Sequence, residues 1–357
     1  MTVRTSHLAL LGALLALGLL LAPLAAATPP GANGRITFER LRFQNGPYWG
    51  ELFVMNADGS ALSKLTHPPN GTEDTSPDWS PDGSRILFVR QPPRGAFSIW
   101  SVKADGTGLH RLSPACAPGG GIPNCPADDG GFPSWSPDGK HIAFQRLSGA
   151  LRPKGATVND AKAIYKDELV ITDANGRRPR TLVWLGPWKG DPQIPAWSPD
   201  GKRLVFLGKS MSSKTNGTGC ICRALYVINS NGKGLRRLTP SSVAPGDKID
   251  WSPDGSTILF RTHPGEDLNA SSGYGGNLYT INPDGTGLRQ LTHFASSNRV
   301  VMGSYSPDGT SIVFETNVGA FGPGLTDVFE MNVDGTGLRQ ITRTRNFEGA
   351  ADWGPSG

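Results

Sequence analysis

The sequence predicts an all-β fold, a ring of six four-stranded antiparallel blades, and three observations predict it. First, one hexapeptide keeps returning: "DWSPDG" at Asp78, "SWSPDG" at Ser134, "AWSPDG" at Ala196, "DWSPDG" at Asp250, "SYSPDG" at Ser304 and a worn "DWGPSG" at Asp352. Second, the chain holds 47 glycines and 30 prolines but few aliphatic helix formers outside its first residues, a composition suited to short strands and turns. Third, the two ends of the sequence carry complementary halves of one repeat. Repetition of a four-strand unit at this period describes a β-propeller.

Residues 1–27 read as a cleaved secretory signal. Arg4 precedes an apolar run from Leu8 to Leu21, short for a membrane span, and Ala25-Ala26-Ala27 fits the small-residue rule for cleavage before Thr28. No cysteine stands at the cleavage point, which argues against lipoprotein processing. Residues 28–33 are a short lead-in and 34–357 the propeller. The protein is therefore expected to be periplasmic or extracellular, and not integral to a membrane. Without the charge of Arg4 the formal net charge of +5 becomes +4. A mild excess of this size, spread over a surface, is solvation and no footprint for nucleic acid.

The first strand, "GRITF" at Gly34, has no turn motif before it. In each later copy a strand A ends in Trp or Tyr and enters the S-P-D-G turn. There Pro fixes φ at the first corner of a type I turn, Asp bonds nearby backbone N–H, and Gly takes the left-handed conformation. The aromatic residue, large and on a strand, is expected to pack between blades. Strand B follows: "RILF" at Arg85, "HIAF" at His141, "RLVF" at Arg203, "TILF" at Thr257 and "SIVF" at Ser311. Strands C and D then flank an Asp-Gly or Asn-Gly turn, as in "LFVMNADGSALSKLT" from Leu52 and "LYTINPDGTGLRQLT" from Leu278. The chain finishes in "AADWGPSG", a strand A with nothing after it. Joined to "GRITF", it completes one blade from both termini and removes the open sheet edge. A metal ring of Asp82, Asp138, Asp200, Asp254 and Asp308 is a sharper reading of the turns, countered by Ser356 at the sixth position.

The W-S-P-D-G turn, the x-I-x-F strand and the L-Y-x-M-N-x-D-G-x-G-L-x-x-L-T hairpin resemble the WD-repeat-like repeats of the TolB-like propeller family, over about residues 33 to 357. The resemblance implies a six-bladed, exported propeller. Within that family TolB carries a further N-terminal domain and binds protein partners of the cell envelope. Only a few residues separate the signal from the first strand here, so that domain and TolB's own role are not expected.

Function is expected on the face opposite the S-P-D-G and Asp-Gly turns, because the long insertions join strand B to strand C: 39–50, 146–167, 208–223, 262–277 and 316–327. Long loops on one side of a rigid scaffold are the usual layout of a binding surface. Tyr48, Trp49, Arg152, Lys154, Tyr165, Arg223 and Tyr274 are the candidate contacts, since aromatics and Arg anchor interfaces best. Cys116 and Cys125, in a D-to-A loop, are the preferred disulfide. A Cys220–Cys222 bridge across one residue would be strained, and a link between the two pairs stays open. A zinc site is disfavoured by spacing and by the lack of a nearby histidine.

The sequence has no G-x-S-x-G and no H-E-x-x-H. Gly208-Lys209-Ser210 imitates the end of a P-loop, but the preceding Gly201 is two residues too far away. Sequons stand at Asn70, Asn216 and Asn269. The reading is a monomeric, non-catalytic scaffold for a protein or cell-envelope component, without a cofactor. The alternative is a secreted metal-dependent glycan lyase or hydrolase using His67, His263 and His293, which end strands on the long-loop face.

Overall fold

The computed structural model describes residues 31–42, 49–93, 96–113, 131–151, 164–184, 192–212, 220–240, 242–262, 276–295, 298, 300–322 and 325–357. Among these residues every regular element is a strand. The first unit takes β1 (Asn33–Arg42), β2 (Trp49–Asn56) and β3 (Ser63–Lys64). The second takes β4 (Glu73–Trp79), β5 (Arg85–Gln91), β6 (Ser98–Lys103) and β7 (His110–Arg111). The third is β8 (Ser134–Trp135), β9 (His141–Leu151), β10 (Ile164–Asp173) and β11 (Arg180–Trp184). The fourth is β12 (Pro192–Trp197), β13 (Arg203–Ser212), β14 (Cys220–Asn229) and β15 (Arg236–Arg237). The fifth is β16 (Pro245–Trp251), β17 (Ile258–Thr262), β18 (Leu278–Ile281) and β19 (Arg289–Gln290). The sixth is β20 (Val300–Tyr305), β21 (Ser311–Thr316), β22 (Asp327–Asn332) and β23 (Arg339–Gln340).

The last strand, β24 (Phe347–Pro355), pairs antiparallel with β1, Ile36 opposite Trp353 and Thr37 opposite Asp352. It thereby gives the first unit its fourth strand. Units three to six are separate four-stranded sheets. The first two are merged by the parallel bridge of Gly50 to Glu73. The innermost strands touch in sequence: β4 meets β8, β8 meets β12, and so on through β16 and β20 to β24, which meets β4.

Strand B is apolar on both sides because both sides are covered. In β5, Ile86 and Phe88 pack with Leu52 and Leu65 of the first unit, while Leu87 packs with Trp135 and Phe144 of the third. The same division recurs at every junction, ending with Trp353, Ile36 and Phe38 against Val313 and Val328 of the sixth unit. The repeat aromatics Trp79, Trp135, Trp197, Trp251, Tyr305 and Trp353 are all buried in these clusters, as expected. The first residue of strand B faces the next aromatic: Arg35 lies over Trp79, Arg203 over Trp251, and where Tyr305 replaces Trp, Thr257 meets its hydroxyl at 2.9 Å.

The turn chemistry is as read, with one addition. Asp82 Oδ1 accepts from Ser80 Oγ and from the Ser84 amide, Gly83 has φ +67°, and the Gly83 amide donates to the Ser80 carbonyl. Ser80 Oγ also accepts from the Arg85 amide, so the Ser is as much a part of the turn as the Asp. The turns at Asp138, Asp200, Asp254 and Asp308 repeat this bonding. One oxygen of each carboxylate is held by its own turn, and the second oxygen of Asp308 accepts from Asn33 Nδ2 at 3.0 Å, which weakens the reading of a shared metal ring.

Two expectations need correction. Strand D is vestigial, two residues long in every unit but the third. The insertions at 146–167 and 208–223 also begin and end in strand: β9 and β10 stay paired as far as Leu151 opposite Ile164, and β13 and β14 as far as Ser212 opposite Cys220.

Candidate functional site

The predicted contact residues are partly placed. Trp49 opens β2 opposite Arg42 and is half-buried; Arg223, also half-buried, lies on β14 opposite Lys209. Tyr165 falls at a register shift in β10. Tyr48, Arg152, Lys154 and Tyr274 lie outside the described residues, as do Cys116, Cys125, His263 and the proposed signal. Cys220 and Cys222 stand two apart on β14, on a strand and not in a loop. His67 and His293 are exposed. Among the described residues no group of three or more His, Cys, Asp or Glu side chains could hold a metal ion.

What the paired hairpins do build is a wall. Beyond the strand-B phenylalanine, pairing continues to Leu151 in the third unit and Ser212 in the fourth, but stops at Arg90 in the second and Arg261 in the fifth. At about 3.3 Å per residue, the paired strands of these two neighbouring hairpins run roughly 13–20 Å beyond those of the second and fifth units and about 7–10 Å beyond those of the first, where pairing reaches Arg42 opposite Trp49.

A second feature lies where the inner strands converge. Ser76, Ile194, Lys248 and Ala350 have φ between +53° and +55°, each three residues before the repeat Trp and each at a register shift in its strand. Left-handed non-glycine residues of this kind cost about 1–3 kcal/mol apiece and gather where the surroundings over-determine them. The bulges turn the next ionisable side chains inward around a cavity of about 30 Å³, room for about one water, lined by Ser76, Asp78, Ser134, Ile194, Lys248 and Asp352.

In three units an Asp before the repeat aromatic carries the bonding there. Asp352 Oδ2 accepts from the Trp79 amide at 2.9 Å, Asp78 Oδ2 from the Trp135 amide at 2.8 Å, and Asp250 Oδ2 from the Tyr305 amide at 2.8 Å. Each clasp ties one unit to the next. Ser304 Oγ donates to Asp250 and Asp352, and Lys248 Nζ to Asp352 Oδ1 at 2.9 Å. Burial opposes the Lys248 charge, but the Asp352 carboxylate together with Asp250 and Asp78 more than offsets it and holds the ammonium. Burial, then the Asp352 charge, pushes Asp78 well above the usual carboxylate range and Asp250 up to about 6. Burial pushes Glu315 up to about 7. Nearby, burial and then Glu73 raise Glu39, whose other carboxyl oxygen accepts from Thr75 Oγ1. This centre clamps units together. Sequence reasoning missed it, although the signal was in view: the one variable letter opening each hexapeptide, D, S, A, D, S, D.

No protein-family profile matches the chain. It is similar to protein Atu1656 of Agrobacterium fabrum, 27% identical over 157 residues, 44% of this chain and 46% of that protein. It is also similar to the Tol-Pal system protein TolB of Francisella tularensis, 31% identical over 108 residues, 30% of this chain and 19% of TolB. These matches span less than half of either relative. In structure it superposes on TolB from Acinetobacter baumannii with a TM-score of 0.62 at 19% identity, covering 92% of this chain and 68% of that one.

Proposed function

We propose that this chain, a member of the TolB-like propeller family, is an exported binding scaffold: a six-bladed ring, closed by β24 on β1, that captures a protein or cell-envelope component on its long-loop face. The observation that carries the reading is the wall formed there by the β9–β10 and β13–β14 hairpins. Closure is supported by contacts that run from the sixth unit back to the first. Arg339 donates to the Ala57 carbonyl at 3.1 Å, as Arg180 does to Ser230 and Arg289 to Asp334 between earlier units. Each turn glycine of strands C and D also sits against the preceding unit's strand-D carbonyl, Gly106 against Leu65, Gly285 against Leu238 and Gly59 against Ile341. A rigid ring with one raised side suits capture of a folded partner.

The test is an unbiased pull-down from envelope extract with residues 28–357, beside elemental analysis of the same preparation. Cutting the β9–β10 hairpin back to Arg146 and Glu168 should abolish capture, and Asp138→Ala in an S-P-D-G turn should leave it intact. Loss with folded turn variants alone puts binding on the wrong face. A stoichiometric transition metal lost on replacing His263 would instead favour the glycan lyase or hydrolase.

A further inference from the structure

The C-to-D turns offer six copies of one local structure, and their charges are unequal. In the first, fifth and sixth units each tip is balanced, Asp58 with Lys64, Asp284 with Arg289 and Asp334 with Arg339. The fourth carries Lys233, Arg236 and Arg237 and no acid. The third sets Arg177, Arg178 and Arg180 against Asp173, and the second sets Lys103 and Arg111 against Asp105. The basic excess is therefore not spread over the surface, as expected from sequence, but gathered on three consecutive tips. They adjoin in space: Arg180 donates to the Ser230 carbonyl at 2.9 Å, and Gly176 lies against the Leu112 carbonyl.

The fold does not ask for this bias. The residue before the turn glycine is Asp58, Asp105, Asp284 or Asp334 in four units but Asn175 and Asn231 in the third and fourth. Asn231 Oδ1 accepts from the Lys233 amide at 3.0 Å, as Asp58 Oδ1 accepts from the Ser60 amide at 2.9 Å. Gly232 and Gly59 have φ of +84° and +87°. In the fourth unit the turn survives and the negative charge is gone, beside the densest cations; in the third the acid is moved to Asp173, whose Oδ1 accepts from the Asn175 and Arg177 amides. Leu109 and Leu235, on the second and fourth tips, are 42% and 43% exposed, and Leu62, Leu288 and Leu338 on the balanced tips are exposed to a similar degree, so the charge and not the aliphatic side chain sets the basic tips apart. Between Lys103 and Arg111, Asp173 and Thr181, and Asn229 and Arg237 there is no Phe, Tyr or Trp, so stacking on bases or sugar rings has no platform. Clustered Lys and Arg with aliphatic anchors are the chemistry of an anionic membrane surface.

We propose that the C-to-D tips of the second, third and fourth units form one cationic edge that seats on an anionic lipid bilayer. The bilayer meets the turn side, which leaves the hairpin wall at the opposite ends of the strands open to a partner.

Residues 28–357 should cosediment with phosphatidylcholine vesicles doped with phosphatidylglycerol, not with pure phosphatidylcholine, and be released by salt. Arg177, Arg178 and Lys233 take no part in the hydrogen bonds between units. Their joint replacement by Gln should weaken vesicle binding about a hundredfold. Asn175→Asp with Asn231→Asp, which restores the acid of the other tips, should weaken it about thirtyfold with an unchanged urea midpoint. Variants that bind like the parent, equal binding to both vesicles, no binding to either, or binding to soluble polyphosphate with none to vesicles each overturns the proposal.

Discussion

Asp352→Ala should cost about 3–5 kcal/mol of folding stability, because it strands a buried ammonium. Asp352 Oδ1 accepts from Lys248 Nζ at 2.9 Å, and both side chains retain only 10% of their exposure. The second oxygen accepts from the Trp79 amide, so that donor is orphaned too, worth about 1–3 kcal/mol by itself. Asp250 remains to attract Lys248 and keeps the total near the range for one broken pair. The Asp352→Ala, Lys248→Met double variant removes both charges and should recover most of the loss, since an apolar replacement of a whole buried pair is close to neutral. Urea unfolding at neutral pH reads both, a lower midpoint at unchanged slope marking a pure stability loss. A single variant within about 1 kcal/mol of the parent, or a double variant no better than the single, would refute the clasp.

The raised carboxyl groups predict an unusual pH response. Asp250, near 6 in the fold, and Glu315, near 7, start from 3.8 and 4.5, so folding takes up protons. Their stabilisation is full below the unfolded values and is lost as pH rises through the folded ones. Melting temperature should therefore fall from pH 5 to pH 8, and a flat or rising profile contradicts the burial of these acids. In the turns, Asp82 is also partly buried, but hydrogen bonds from Ser80 and Ser84 win and lower it, so its contribution disappears only in stronger acid. Two glycines with similar φ separate conformation from contact. Gly139→Ala at φ +66°, with nothing within 4 Å of a new Cβ, should cost about 1–2 kcal/mol by chemical denaturation. Gly176→Ala at φ +73° drives its Cβ into the Leu112 carbonyl and should cost clearly more; equal losses would mean the units give way easily. Trp251→Ala empties a fully buried junction between the fourth and fifth units and should cost about 3–5 kcal/mol in the same assay.

Much of the fold was legible because its information is local. Pro81, Asp82 and Gly83 fix one turn whatever surrounds them, and the unbroken apolar run in "RILF" reads as a strand. The extent of the hairpins was less legible. Residues 146–167 and 208–223 look like loops, rich in Gly, Lys and Ser, yet cross-strand pairing carries β9 and β13 well into them. Strand D was over-read, since its repeat pattern continues after the ladder has ended. The terminal Thr of that pattern has its role elsewhere: Thr66, Thr239 and Thr292 accept the amides of Leu52, Leu225 and Leu278, each in its own unit's strand C.

By itself the sequence determined the repeat, the turns and the buried aromatics, which depend on neighbours within a few dozen residues, and the complementary halves at its two ends, which show because each half is a piece of the same repeat. The tertiary structure decided what the variable residues mean. Asp352 meets the Trp79 amide across 273 positions and Lys248 across 104, and the three basic tips become one edge only because the fold seats their units side by side. The physical reason is that strand pairing is a short-range code, while the field on a buried carboxylate sums over every charge the fold brings near it.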